Sequence, residues 1–334
     1  MTRDVKRQEF IAAHGWADAT CVPLRQDASA RRYYRLSAAK GTRIVMDAAP
    51  PFEETSAFAA KQKIFATYGW AVPEISAADF GNGFLLLEDF GDHSFADRLA
   101  HGGDAAEFYF MAIDNLIHLH RQSATAARGL PQLGVARLTY LVSWLIEWYV
   151  PLVQPETLSR VIREEFFDIW TAQYAVLERV PQHACHLDYQ FHNLMDRAGK
   201  TGLARVGILD FQDAAFGPVV ADLVLLLENA RAEVPPAIVT ACIERYLAAF
   251  PQINRADFDA AFATASAHNA ARILGLFARL KIRDGKGQYL QHLPRNLRYF
   301  ENSLRHPSLS AIRQWFDTYV PPEKRLAIAE LRAA

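Results

Sequence analysis

His186-Leu187-Asp188-Tyr189-Gln190-Phe191-His192-Asn193 decides how this chain is read, together with Ile208-Leu209-Asp210-Phe211-Gln212-Asp213, whose Asp210 follows Asn193 by 17 positions. An acid, an amide five positions later and a second acid closing an apolar run are the polar equipment for moving a phosphoryl group. Asp188 can accept the proton of an incoming hydroxyl. Asn193 and Asp210 offer hard oxygens to Mg²⁺, which takes few protein ligands and completes its shell with phosphates and water. Val206-Gly207-Ile208-Leu209 reads as a short buried strand, and the polar, glycine-bearing Asp196–Gly202 segment as a hairpin connection. The hairpin brings Asn193 and Asp210 close in space. The competing reading makes Asp188 and Asn193 turn residues and Asp210 a strand-end cap.

Working outward, the first ninety residues mix strand and helix. A helix near 5–14 precedes strand-like runs near 19–22, 31–38 and 43–48. A helix over 54–68 and strands near 74–80 and 83–88 follow, punctuated by Gly69, Pro73, Gly81 and Gly83. This predicts a five-stranded antiparallel sheet with a helix. Glu88-Asp89-Phe90-Gly91 reads as a hinge, after which the chain is mainly helical. The expected class is α+β, with a small sheet lobe over 1–90 and a mainly helical lobe over 91–334.

These segments resemble the aminoglycoside phosphotransferase superfamily, the small-molecule branch of the protein-kinase-like bilobal fold. Arg31-Arg32-Tyr33-Tyr34-Arg35, Met46–Pro51, Gly83–Gly91 and Asp210–Ala214 are similar to the bacterial anomeric kinases of N-acetylmuramate and N-acetylglucosamine. The resemblance runs from about residue 20 to 230. It implies ATP and Mg²⁺ as cofactors, Asp188 as catalytic base, Asn193 and Asp210 as metal ligands, and the Glu88-Asp89-Phe90 backbone as the adenine contact. His186 and Asp222 would support the catalytic loop. Asp222 also reads as a helix first-turn acid favoured by the dipole, and Asp213 as either an acceptor or metal-water contact or a turn cap.

The chain departs from the kinase pattern in two places. Gln26–Arg31 carries no glycine where a phosphate loop is expected, and Arg43-Ile44-Val45-Met46-Asp47 ends without a lysine. Small residues such as Ser29 let the backbone approach phosphate, and Arg31, Arg32, Lys61 or Lys63 can supply the charge. Leu187 stands where protein kinases place an arginine, and eleven residues separate Asp210 from Asp222. No peptide-docking activation segment fits there, so the expected acceptor is a small molecule.

Trp144-Leu145-Ile146-Glu147-Trp148-Tyr149 offers Glu147 and Trp148 as sugar contacts, although aromatic spacing of this kind also marks a helix core. His268, Asn269 and Arg272 share a helical face, read here as solvated, with an anionic acceptor group as the alternative. His118 and His120 lack the spacing of a metal pair and read as packing residues.

Composition fits a soluble enzyme. Apolar residues make up 51% and charged ones 22%, which excludes disorder, and the net charge of −1 argues against nucleic acid or anionic membrane as partner. Cys21, Cys185 and Cys242 are too scattered for a disulfide framework or zinc site. With no signal segment or obligate protein partner evident, the expected location is the cytoplasm. The sequence leaves three functions open: an amino-sugar kinase, a kinase of another small hydroxyl compound such as an aminoglycoside or choline, and a non-catalytic nucleotide-binding relative.

Overall fold

The computed structural model describes residues 2–24, 31–50, 55–154 and 156–326. They pack as two compact units: Met1–Gly129 with Phe191–Ala214, and Leu130–Gln190 with Ala215–Ala334.

The first unit is built on a five-stranded antiparallel sheet of order β1-β2-β3-β5-β4, with β1 Thr20–Pro23, β2 Arg32–Ala38, β3 Gly41–Asp47, β4 Ile75–Asp79 and β5 Phe84–Leu87. Period-two alternation sends Tyr34, Leu36, Val45, Phe84 and Leu86 into one core with Phe10 and Ile11 of helix α1, Arg3–Ala13. Arg3 and Arg7 of α1 close on Asp47 at 2.6 and 3.2 Å, fixing the helix to the end of β3. The opposite face carries Met46, paired in register with Leu85, and looks towards helix α2, Thr55–Thr67.

Two more helices, α3 Phe95–Ala100 and α4 Ala105–His120, belong to this unit. Trp70 Nε1 donates to the Asn115 carbonyl (3.1 Å) and Tyr68 Oη to that of Ser123 (3.0 Å). These bonds join residues on either side of Phe90 within one unit, which runs on as far as Gly129. His118 is a packing residue, its Nε2 bonded to the Tyr68 carbonyl at 2.9 Å. The unit is completed by the hairpin of β7 Leu194–Asp196 and β8 Val206–Ile208. The numbering leaves β6 to the second unit.

In that unit β6 Gln182–Cys185 pairs antiparallel with β9 Ala215–Pro218. Helices α5 Val135–Trp144, α6 Val150–Val153, α7 Arg160–Gln173, α8 Val220–Leu227, α9 Pro236–Ala249, α10 Arg255–Asp284, α11 Leu293–Ser303, α12 Ser310–Tyr319 and α13 Pro322–Arg325 make up the rest. The 30-residue α10 is its spine, packed against α5, α8 and α11. Between α5 and α6 the expected continuous helix becomes a π-helical turn, Leu145–Tyr149, in which Val150 N–H reaches back to the Leu145 carbonyl. Two residues account for it. Pro151 has no N–H to give the Glu147 carbonyl. Gly275 of α10 lies so close to this turn that an added Cβ would sit 2.3 Å from the Trp144 carbonyl carbon.

Candidate active site

In the second unit the chain leaves β6 through His186 and enters a left-handed turn at Leu187, φ +64°. A leucine there costs about 1–2 kcal/mol, so neighbouring contacts must hold it. Asp222, in the first turn of α8, accepts the His186 N–H at Oδ2 (2.6 Å) and the Leu187 N–H at Oδ1 (2.8 Å). It is completely buried, and burial pushes its carboxyl up to about 7, against the two N–H bonds that favour ionisation. His186 Nδ1 accepts the Asp188 N–H at 3.1 Å, which leaves the ring proton on Nε2. Asp188 itself is half-buried, and its Oδ1 accepts from the Gln190 side-chain amide at 2.7 Å. Local strain, a buried carboxylate and one amide thus fix the acid's orientation.

In the first unit Asn193 and Asp210 flank the open end of the β7–β8 hairpin, where Leu194 pairs with Ile208 and the Leu209 N–H donates to the Asn193 carbonyl at 2.9 Å. Phe191 anchors this end against Tyr109, ring centroids 4.2 Å apart. Asp210 is left-handed, φ +57°, and turns the chain so that Phe211 enters the core against Phe58 and Phe65 of α2, at 4.7 and 6.0 Å. Next to this turn lies a cavity of about 200 Å³ lined by Arg31, Met46, Ala48, Thr55, Phe58 and Asp213, among others. Gln212 also lines it, and its Oε1 is buried without a hydrogen-bond partner among the described residues.

The amide oxygen of Asn193 and the carboxylate of Asp210 are of the kind Mg²⁺ takes when phosphates and water complete its shell. Among the described residues no group of three or more His, Cys, Asp or Glu could hold a metal. An amide oxygen, a carboxylate and an orphaned amide oxygen for a metal-bound water suit an ion completed by phosphates.

The hinge is tied down on both sides. Glu88 accepts from Arg197 of the hairpin connection at 2.7 Å, and Arg197 lies over the Phe90 ring at 4.5 Å. Phe90 in turn rests on Gly207, where a Cβ would come within 2.6 Å of its ring. Asp89 is paired with Arg35 of β2 (2.8 Å) and accepts the Gly91 N–H (2.9 Å). The acidic side chains here hold this segment, and the Glu88 N–H is bonded to the Glu74 carbonyl at 2.8 Å. The bonds made by Arg197, Arg35 and Gln190 have no signal in the sequence. Glu88 and Arg197 are 109 positions apart, and no local pattern announces such a pair.

Ser29 lies outside the described residues. Asp213 is exposed and lines the first unit's cavity with Arg31. Glu147, exposed, and Trp148, half-buried, occupy the π-helical turn of the second unit. The expected solvated face of α10 is corrected. His268 and Asn269 are buried, Tyr174 Oη bonds His268 Nδ1 at 2.8 Å, and burial holds the imidazole down at about 3. Packing of Trp170 and Tyr174 against α10 closes that face.

Residues 20–262 match the phosphotransferase enzyme family, and the chain belongs to that family as a small-molecule kinase. It is 33% identical to the N-acetylmuramate/N-acetylglucosamine kinase of Caulobacter vibrioides, over 97% of this chain and 98% of that one. It is 34% identical to the protein of the same name in Pseudomonas aeruginosa, over 91% and 90% of the two chains. The crystal structure of a choline/ethanolamine kinase family protein from Mesorhizobium loti superposes with a TM-score of 0.62 at 13% identity, covering 100% of both chains, a likeness of fold. Among the described residues no helix is long and apolar enough to cross a membrane.

Proposed function

We propose that this kinase transfers the γ-phosphoryl group of ATP to the anomeric hydroxyl of an N-acetylated amino sugar of the N-acetylmuramate or N-acetylglucosamine type, in the cytoplasm. The observation that carries the acceptor is the near full-length similarity to kinases of that name. Asp188, aimed by Gln190 and by the Asp222-clamped turn, hydrogen-bonds the sugar hydroxyl. It takes the proton as the oxygen–phosphorus bond forms and the bond to the ADP oxygen breaks. A positioned base contributes ~10²–10⁴ in rate. Asn193 and Asp210 would hold Mg²⁺, which when bound would neutralise charge on the phosphates. The Glu88–Phe90 backbone receives adenine, and Arg31 supplies charge at the phosphate end. Asp213, Glu147 and Trp148 are the acceptor contacts this reading assigns.

Asp210→Asn and Asp188→Asn test the division of labour. The expected result is loss of Mg²⁺-dependent turnover in the first, and in the second a fall in kcat with ATP binding retained. Full activity in either folded variant rules out the role given to that residue.

A further inference from the structure

Alternation along β3 decides where charge can come from. Val45 faces the α1 core and Asp47 is held by Arg3 and Arg7. Met46 and Ala48 therefore face the cavity beside the Asp210 turn, and both are apolar. Among the described residues that line it no strand side chain is a cation; Arg31, just before β2, is the cation there.

Helix α2 carries another. Phe58, Lys61 and Phe65 stand at i, i+3 and i+7 and share one face. The two phenylalanines hold Phe211 between them. Lys61, set between those rings, is half-buried and donates from Nζ to the Gln212 carbonyl, two residues past Asp210. Lys63 is exposed. An ammonium within a stripe that packing would fill with an apolar residue costs desolvation, and its position against the Asp210–Asp213 turn supplies a reason for it. Gln212 and Asp213, whose main chain it steadies, line the cavity with Arg31.

We propose that Lys61 on α2 takes over the charge that kinases carry on the β3 lysine, meeting the triphosphate while it fixes the Asp210 turn through Gln212. This rests on the proposed ATP-dependent function. The strand–helix arrangement is then inverted, with an apolar residue on the strand and the cation on the helix. The ammonium's bond to the Gln212 carbonyl holds it beside that turn. Its compact charge suits phosphate oxygens.

The test compares Lys61→Met, Lys61→Arg and the double variant Lys61→Met/Met46→Lys with wild type, reading KM for ATP, KM for acceptor and Tm. Lys61→Met is expected to raise the ATP KM by at least about tenfold, with acceptor KM unmoved and only a small fall in Tm from the lost bond to Gln212. Lys61→Arg should keep most of the ATP affinity. In the double variant, a lysine returned to the strand should recover part of it. An ATP KM within about twofold of wild type in Lys61→Met, or a folded double variant with no recovery, overturns the proposal. So does a loss of activity that tracks a fall in Tm with KM unchanged. Asp210→Asn, assayed alongside, separates the two claims: retained turnover there defeats the functional reading, whereas an inactive Asp210→Asn with an unaffected Lys61→Met defeats only the role of Lys61.

Discussion

Asp222→Asn keeps the side chain's size and removes one of its two acceptors. In the native loop the His186 and Leu187 N–H groups go to different oxygens, at 2.6 and 2.8 Å. The amide can accept from only one of them and turns an NH₂ towards the other. A buried N–H left unpaired costs about 1–3 kcal/mol, which in a unit of this size lowers Tm by about 2–4 °C per kcal/mol. The loss depends on pH in a definite sense. Burial raises the folded-state pKa of Asp222 to about 7, above its usual 3.8, so wild type binds more protons folded than unfolded between those values. Wild-type stability from this group therefore falls as pH rises from about 4 to 7, and the variant lacks that dependence. The deficit of Asp222→Asn should be largest near pH 5 and shrink by pH 8. Activity should suffer more than stability. With one N–H bond gone, the ~1–2 kcal/mol of strain at Leu187 is free to relax, carrying Asp188 out of line, and a displacement of about 1 Å costs ~10² in kcat. Urea titrations at pH 5 and 8 and a coupled ADP assay read both quantities. A variant with wild-type kcat and a pH-independent stability difference would refute the reasoning.

Glu228 is pushed up to about 7 by burial, against its bond from Ser266, so it too favours the folded state less as pH climbs. Glu228→Gln should gain about 1–3 kcal/mol relative to wild type between pH 5 and 8, and a pH-independent difference in urea titrations would remove Glu228 as the cause. Gly275→Ala would place a Cβ 2.3 Å from the Trp144 backbone. It should cost about 1–3 kcal/mol and, by shifting the turn that carries Glu147 and Trp148, raise the acceptor KM more than the ATP KM. Equal effects on both, measured by steady-state kinetics, would count against those two as acceptor contacts.

The sheet was legible because its strands alternate and its turns are marked by glycine and proline; Arg32–Ala38 and Phe84–Leu87 lie within two residues of where the pattern puts them. The β7–β8 hairpin was legible for the same reason, and with it the nearness of Asn193 and Asp210. What stayed hidden depends on partners distant in sequence. The π-helical turn needs Gly275 opposite Trp144 as well as Pro151, and only the proline is local. The burial of His268 is set by Tyr174, 94 positions away. The left-handed turn at Leu187 runs against residue preference and that at Asp210 uses a residue type that tolerates it; both are held by bonds and packing that the motif does not display. The absence of a strand lysine was visible at once, whereas the choice of Lys61 over Lys63 depends on which face of α2 meets Phe211.

The most direct measurement of the central claim is ATP-to-ADP turnover with Mg²⁺ over N-acetylmuramate, N-acetylglucosamine, other hexoses, choline and an aminoglycoside, with the product read by phosphorus NMR and Asp188→Asn as control. The account predicts a sugar 1-phosphate from an N-acetylated amino sugar, absent in the variant. Turnover confined to choline or the aminoglycoside, or tight nucleotide binding with no acceptor phosphorylated, would contradict it.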